Sequence, residues 1–344
     1  MQEDKALFNA IANELTLCRN LVLVTVLKSS GSTPRGPGAK LLVKMDGTTL
    51  GTVGGGAIEH EAYKLALKTH ESQTSFFKEY VLAPNEAADL GMVCGGRTTL
   101  YFQFISGANS EALRLAQRIC VLVEKVQGVW LITRIKENCE WGMAVYTIKY
   151  GLEPSIFLNA DTLTPMLKQS AVLILGENTY FTQPLTQPGR VYIFGGGHVS
   201  QALVPVLAQI GFYVVVLEDR KEFLNPALFA GAAEVLECDF LNLSKTVELH
   251  EPDYIVIMTR GHKADAEVLI QALRSNASYI GMIGSRTKVK STRALVLKAG
   301  LKEKDFLRVH SPIGLEIGAQ TPAEIAISIA AELIAHRAKL RLEP

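Results

Sequence analysis

The feature that most restricts how this chain folds is a regular alternation of short apolar runs and amphipathic stretches beginning near Arg190. RVYIF reads as a strand, HVSQALVPVLAQIG as a helix and YVVVLED as a strand; helical turns, the strand DYIVIMT, the helix ADAEVLIQALRS, the strand SYIGMIG and a further helix follow. Alternation at these lengths implies a doubly wound parallel sheet, since parallel neighbours need crossovers and the crossover helices cover both faces. The last helix carries its own signals: Thr321 as N-cap, Pro322 at the first helical position, Glu324 closing a capping box, and Ile325, Ile329 and Leu333 as an apolar stripe.

Within this half, VYIFGGGHVSQAL places Gly195 and Gly197 between a strand and a helix, with His198 at the helix start. The first glycine permits the tight turn, the second admits a pyrophosphate close to the backbone, and the helix N-terminus offers free N–H groups to an anion. Ser200 stands where a third glycine is usual, a position that asks only for a small residue. The next strand ends in Glu218-Asp219, about 20 residues on, where an acid can accept hydrogen bonds from ribose hydroxyls. Further along, Arg260, His262, Asp265, Gly284, Ser285, Arg286 and Lys288 fall where strands end and helices begin, so they are expected at the same crevice, with the cations suited to an anion. The alternative is a fold of this type without a ligand, each residue being a solvated helix start.

The 344 residues before and after Arg190 exceed what one core usually serves, so two domains are expected: residues 1–182, a linker at 183–189 marked by QPLTQPG, and residues 190–344. The first half reads as α+β. A helix over 6–18 precedes the strand LVLVTVLK, and KLLVKMDGTTLGTV reads as a hairpin turned by Asp46-Gly47. A helix follows Gly54-Gly55-Gly56, SFFKEYVL and RTTLYFQFI are strands, SEALRLAQRICVLVEKV is a helix, and VWLITRIK, GMAVYTIK and AVLILGENTYF complete the domain. The glycine clusters around Arg35 and at Gly54, Gly55 and Gly56 are either anion cradles or tight hairpin-end turns.

A formal charge of +1, from 35 basic and 34 acidic residues without a basic run, argues against nucleic acid. No stretch approaches a membrane span and the N-terminus lacks a signal pattern, so a cytoplasmic protein is expected. Five cysteines without a C-x-x-C give no disulfide framework or structural zinc site. Cys94 differs from the rest: it lies in LGMVCGGR, a thiol between conformationally free glycines, with Gly95, Gly96 and the cation of Arg97 after it. It reads either as a lowered-pKa thiolate able to bind a soft metal or carry sulfur, or as a small buried hydrophobe.

Together, GSTPRGPGAKLLV, GTVGGGAIE, LGMVCGGR, FGGGHVSQAL, YIGMIGSRTKV and SPIGLEIGAQTPAEIAISIAAELI resemble the xanthine dehydrogenase accessory (XdhC/CoxI) family over nearly the whole chain. The resemblance implies an N-terminal XdhC/CoxI domain joined to a Rossmann domain. It also implies binding of molybdenum cofactor (molybdopterin), its protection during sulfuration, and delivery to a molybdenum hydroxylase such as xanthine dehydrogenase. In that role Cys94 handles molybdenum or its sulfur, the loops around Arg35 and Gly54 to Gly56 hold pterin or phosphate, and the crevice holds a nucleotide end. A cysteine desulfurase partner, a homodimer and no turnover by the isolated protein are further expectations. The rival reading is an NAD(P)-dependent oxidoreductase with His198 or His262 as acid/base; an interaction scaffold is the third.

Overall fold

The structure, a computed structural model, describes residues 2–81, 96–137, 141–154, 163, 167, 170–175, 177–186 and 189–342. The chain divides into two compact units, Met1–Thr186 and Gln187–Pro344.

The first unit opens with α1 (Gln2–Thr16), then β1 (Leu21–Gly31), β2 (Lys40–Lys44), β3 (Thr49–Gly51), α2 (Gly56–Ser72), β4 (Phe76–Val81) and β5 (Gly96–Ile105). These strands form an antiparallel sheet in the order β3-β2-β1-β5-β4. The period of two in β1 explains its continuous apolar run: Leu21 and Leu23 enter the core shared with α1, whereas Val22, Val24 and Val26 enter the core under α2. The Asp46-Gly47 turn forms as its sequence requires, Gly47 taking φ 79° and Asp46 Oδ1 accepting from the Thr48 amide at 2.9 Å. After α3 (Ser110–Lys125) comes a second antiparallel sheet of β6 (Trp130–Ile135), β7 (Met143–Thr147), β8 (Gly151–Glu153), β9 (Ala171–Leu175) and β10 (Asn178–Pro184), ordered β8-β7-β6-β10-β9.

AVLILGENTYF thus folds as the hairpin β9–β10, and the strand continues into the segment expected to be linker. Gln183 and Pro184 pair with β6, Leu185 and Thr186 are buried, and Thr186 Oγ1 accepts from the Val129 amide at 3.0 Å. Polar and proline-rich residues read as linker because their partners, Lys40 and Val129, lie far away in sequence.

The second unit comprises β11 (Val191–Phe194), α4 (His198–Gln209), β12 (Val214–Glu218), β13 (Glu234–Glu237), β14 (Tyr254–Ile257), α5 (His262–Leu273), β15 (Tyr279–Met282), α6 (Arg286–Lys298), α7 (Glu303–Phe306), β16 (Val309–His310) and α8 (Pro322–Leu342). The sheet runs β13-β12-β11-β14-β15-β16, all parallel; successive strands add outward on one side of β11 as far as β13 and on the other side from β14, so the strand order reverses between β11 and β14. Alternate residues again serve two cores: Val191 and Ile193 meet Leu203, Leu207, Ile329 and Leu333 on one face, while Tyr192 and Phe194 meet Val268, Leu269 and Val296 on the other. The edge strands β13 and β16 escaped the sequence reading because they are short and only partly buried.

Candidate functional site

At the reversal point the glycines of the fingerprint do different work. Gly195 has φ 108°, and a Cβ there would lie 2.3 Å from the Met258 carbonyl oxygen, so this glycine lets the ends of β11 and β14 close on each other. Gly196 is crowded as well, by Glu218 Oε2 and Phe229 at 3.0 Å. Gly197 has an ordinary φ of −68° and nothing within 4 Å of its Cβ position. It precedes α4 with no side-chain cap on the helix start, which leaves open space over a helix N-terminus. Ser200 is fully buried and donates its hydroxyl to the Gly195 carbonyl, tying the loop to the first turn of α4.

Glu218, expected to accept from a ribose, is engaged internally. Its carboxylate is 1% exposed and accepts from the amides of Gly196, Asp219 and Arg220 and from Arg220 Nε (2.8 Å) and Nη2 (2.9 Å). Burial alone would raise its pKa, but the Arg220 hydrogen bonds with those of the neighbouring donors prevail and hold it at about 2. Asp219, half exposed beside it, is pushed upward by burial and by the Glu218 charge. The Arg220 guanidinium lies 4.0 Å over the Phe223 ring.

On the β14 side, Arg260, Gly261 and His262 are exposed at the start of α5, and the Thr259 backbone is brought against Gly195. Asp265 is fully buried, accepts from the Thr259 amide and hydroxyl (2.9 and 2.7 Å), and pairs with Lys288. Gly284 makes that pair feasible, since a Cβ would sit 2.8 Å from the passing Lys288 chain. Lys288, expected to await an anion, is therefore neutralised by Asp265. Ser285 caps α6 by accepting from the Lys288 amide at 3.3 Å; the Arg286 side chain lies outside the described residues.

In the first unit, the Gly54–Gly56 turn already contains an anion. Glu59 Oε2 accepts from the amides of Val53 and Gly55 at 3.1 Å and from the Thr52 hydroxyl, while the Gly54 amide donates to Thr52 Oγ1. These bonds outweigh burial and lower the Glu59 pKa. The expected cradle is thus filled from within, and Gly54, Gly55 and Gly56 serve backbone conformations with φ of 145°, 70° and 57°. Arg35 is exposed and lines a cavity of about 470 Å³ together with Glu3, Asp4, Lys40, Thr52 and Gln183. Lys40 and Gln183 had no role in the sequence reading; the available signal was a lysine beside the buried run Leu41-Leu42-Val43.

Cys94 and Gly95 lie outside the described residues. Gly96 is described, and a Cβ there would meet the Ser30 and Ser32 carbonyls at 2.6 and 2.8 Å, so glycine is obligatory at this position. Arg97 lies 3.8 Å from Glu79. Among the described residues no group of three or more His, Cys, Asp or Glu is arranged to hold a metal ion, and no helix is long and apolar enough to cross a membrane.

Residues 191–333 match the XdhC Rossmann domain, and residues 18–80 match the XdhC and CoxI family. The chain belongs to the XdhC and CoxI family. Its relatives include the Uncharacterized protein YqeB of Escherichia coli (strain K12), 24% identical over 313 residues. That alignment covers 91% of this chain but only 42% of YqeB. A probable xanthine dehydrogenase subunit of Bacillus subtilis (strain 168) is 24% identical over 321 residues, covering 93% of this chain and 94% of that protein. A crystal structure of a xanthine dehydrogenase from Bacillus halodurans superposes with a TM-score of 0.75 at 25% identity, over 98% of this chain and 96% of that one. In this XdhC-family chain the two matched stretches hold the Arg35 loop with Lys40 and the whole reversal-point crevice.

Proposed function

We propose that this protein is an accessory factor to a molybdenum hydroxylase such as xanthine dehydrogenase, binding molybdenum cofactor and shielding it for sulfuration and insertion. Family membership supports the accessory role, and the name of the Bacillus subtilis relative points to the enzyme served. The observation that carries the binding step is the open space over Gly197 at the uncapped start of α4, where a phosphate finds N–H donors and no obstructing side chain. Arg260 and His262 are exposed on the neighbouring loop to receive the rest of a nucleotide end, and Cys94 supplies a soft ligand for molybdenum or its sulfur. A cysteine desulfurase as sulfur source and a homodimeric carrier complete the proposal.

The oxidoreductase alternative loses support at Glu218, whose carboxylate is already held by Gly196, Asp219 and Arg220 and is not free for the ribose of a dinucleotide. The deciding experiment is retention of molybdenum on a sizing column after the protein is mixed with molybdenum cofactor. Retention lost in Cys94→Ala supports the carrier role with its thiol, whereas equal retention by that variant removes the thiol from the mechanism.

A further inference from the structure

The second unit segregates its charge. Residues 286–308 carry eight basic side chains and two acidic ones, whereas residues 237–251 carry Glu237, Asp239, Glu248 and Glu251 against Lys245 alone. Part of the basic excess is engaged within the fold: Lys288 pairs with Asp265, Arg293 with Glu303 at 2.7 Å, and Arg308 donates to the carbonyls of Leu273, Ser275 and Ala277. Lys290, Lys298 and Lys304, like Glu237, Glu248 and Glu251, are exposed and have no ion-pair partner among the described residues.

Both patches lie on the same face of the parallel sheet. Phe240 and Leu243 of the acidic segment, Val268 and Leu269 of α5, and Val296 and Phe306 beside the basic residues share one core layer. The helix α5 lies between the patches. On one side Gln271 donates to the Phe240 carbonyl and accepts from the Leu243 amide, both at 2.9 Å; on the other, Asp265 holds Lys288. The parallel order sets the heights as well, because strands end and helices begin at the crevice edge. Glu237, closing β13, and Lys290, in the second turn of α6, therefore lie toward that edge. Glu248 and Glu251, just before β14, and Lys298, closing α6, lie toward the opposite edge. Each patch also exposes leucine: Leu241 at 69% on the acidic side and Leu307 at 79% on the basic side.

A face with acid to one side of α5 and base to the other matches a second copy of itself turned over about an axis along α5. That rotation exchanges the two sides and leaves the crevice edge in place, so acid meets base at both heights; an axis across the strands would set acid on acid. An acidic protein or an anionic membrane would engage the basic side alone and leave the acidic side against like charge.

We propose that two copies of this chain associate through this face, about a two-fold axis along α5. The Glu237 side of each copy meets the Lys290 side of the other, the Glu248–Glu251 end meets the Lys298 end, and the exposed leucines form apolar contacts inside the charged rim. The interface rests on the homodimer of the carrier reading and is independent of the cofactor.

The test is sedimentation velocity of the full-length protein at low and high ionic strength. The wild type should be a dimer that salt weakens. Each substitution enters the interface twice, so Lys290→Glu with Lys298→Glu, or Glu237→Lys with Glu248→Lys, should weaken the dimer at least ~10-fold. Mixing the two double variants should restore it, since each then offers the charge the other lacks; restoration also shows that both variants are folded. A monomeric wild type, a dimer unchanged by both double variants, or a mixture that stays monomeric overturns the proposal. A wild type that stays monomeric but binds poly-glutamate overturns it too and gives the basic side to an acidic partner. Molybdenum retention is measured separately: a dimer that behaves as expected but retains no molybdenum defeats the carrier function and leaves this interface standing.

Discussion

Gly195 and Gly197 stand two positions apart in one motif yet answer to different constraints. Gly195→Ala would force a methyl group to 2.3 Å from the Met258 oxygen at a φ of 108°, so it should lower the unfolding midpoint by several degrees, equivalent to ~2 kcal/mol or more. Gly197→Ala meets no atom within 4 Å and has an ordinary φ, so it should cost only about 1 kcal/mol, the replacement of a tolerated N-cap residue by a poor one. Its methyl group nevertheless enters the space where a phosphate would sit, so nucleotide or cofactor binding should fall in that variant, as calorimetry would show. Lys40 gives a second prediction. Burial lowers its pKa from 10.5 to about 8, with Asp4 pulling the other way. Between those values the unfolded chain holds a proton that the folded chain has released, so the stability deficit due to Lys40 is fully present below about pH 8 and fades as pH rises toward 10.5. The stability of the wild type relative to Lys40→Met, from urea unfolding, should therefore rise between about pH 7.5 and about pH 10; a flat difference would mean that the ammonium is not buried as described.

Among the elements, α8 shows how local signals act together. Thr321 Oγ1 accepts from the Glu324 amide at 3.3 Å, and Glu324 Oε2 accepts in return from the Thr321 amide at 2.9 Å and the Gln320 amide at 2.8 Å, the reciprocal box expected from the sequence. Thr321→Ala should cost about 1 kcal/mol, read as a small fall in midpoint by far-UV circular dichroism. The same logic reaches α3, where Asn109 accepts from Glu111 and Ala112. Elements with such signals or with long periodic runs were legible in the sequence: β1, the Asp46-Gly47 hairpin, α3, β11 to β12, and α8. Short edges were not, because two to four partly buried residues carry no period. The continuation of β10 through Pro184 was hidden for a different reason, its polar residues being stabilised only by partners remote in sequence.

At the level of the whole molecule, each unit carries its own cores, and both tryptophans, Trp130 and Trp141, belong to the first unit. Leu203→Ala removes a fully buried side chain from the second unit and should cost about 2–5 kcal/mol there. Heating followed by circular dichroism should show the loss, while the tryptophan fluorescence midpoint should hold; coincident shifts of both signals would mean that the units unfold as one.

What the sequence determined by itself was the succession of strands and helices, the parallel topology after Arg190 and the site of its phosphate-binding turn, since these follow from period, propensity and the special backbone needs of glycine. Tertiary structure alone decided which polar groups remain available. Glu59 fills the Gly54–Gly56 turn, Arg220 and the Gly196 amide engage Glu218, Asp265 neutralises Lys288, and Lys40 of one sheet meets Gln183 of the other. A charge reads the same in a sequence whether it faces a ligand or a partner within the chain, and only the partner's position in space distinguishes the two.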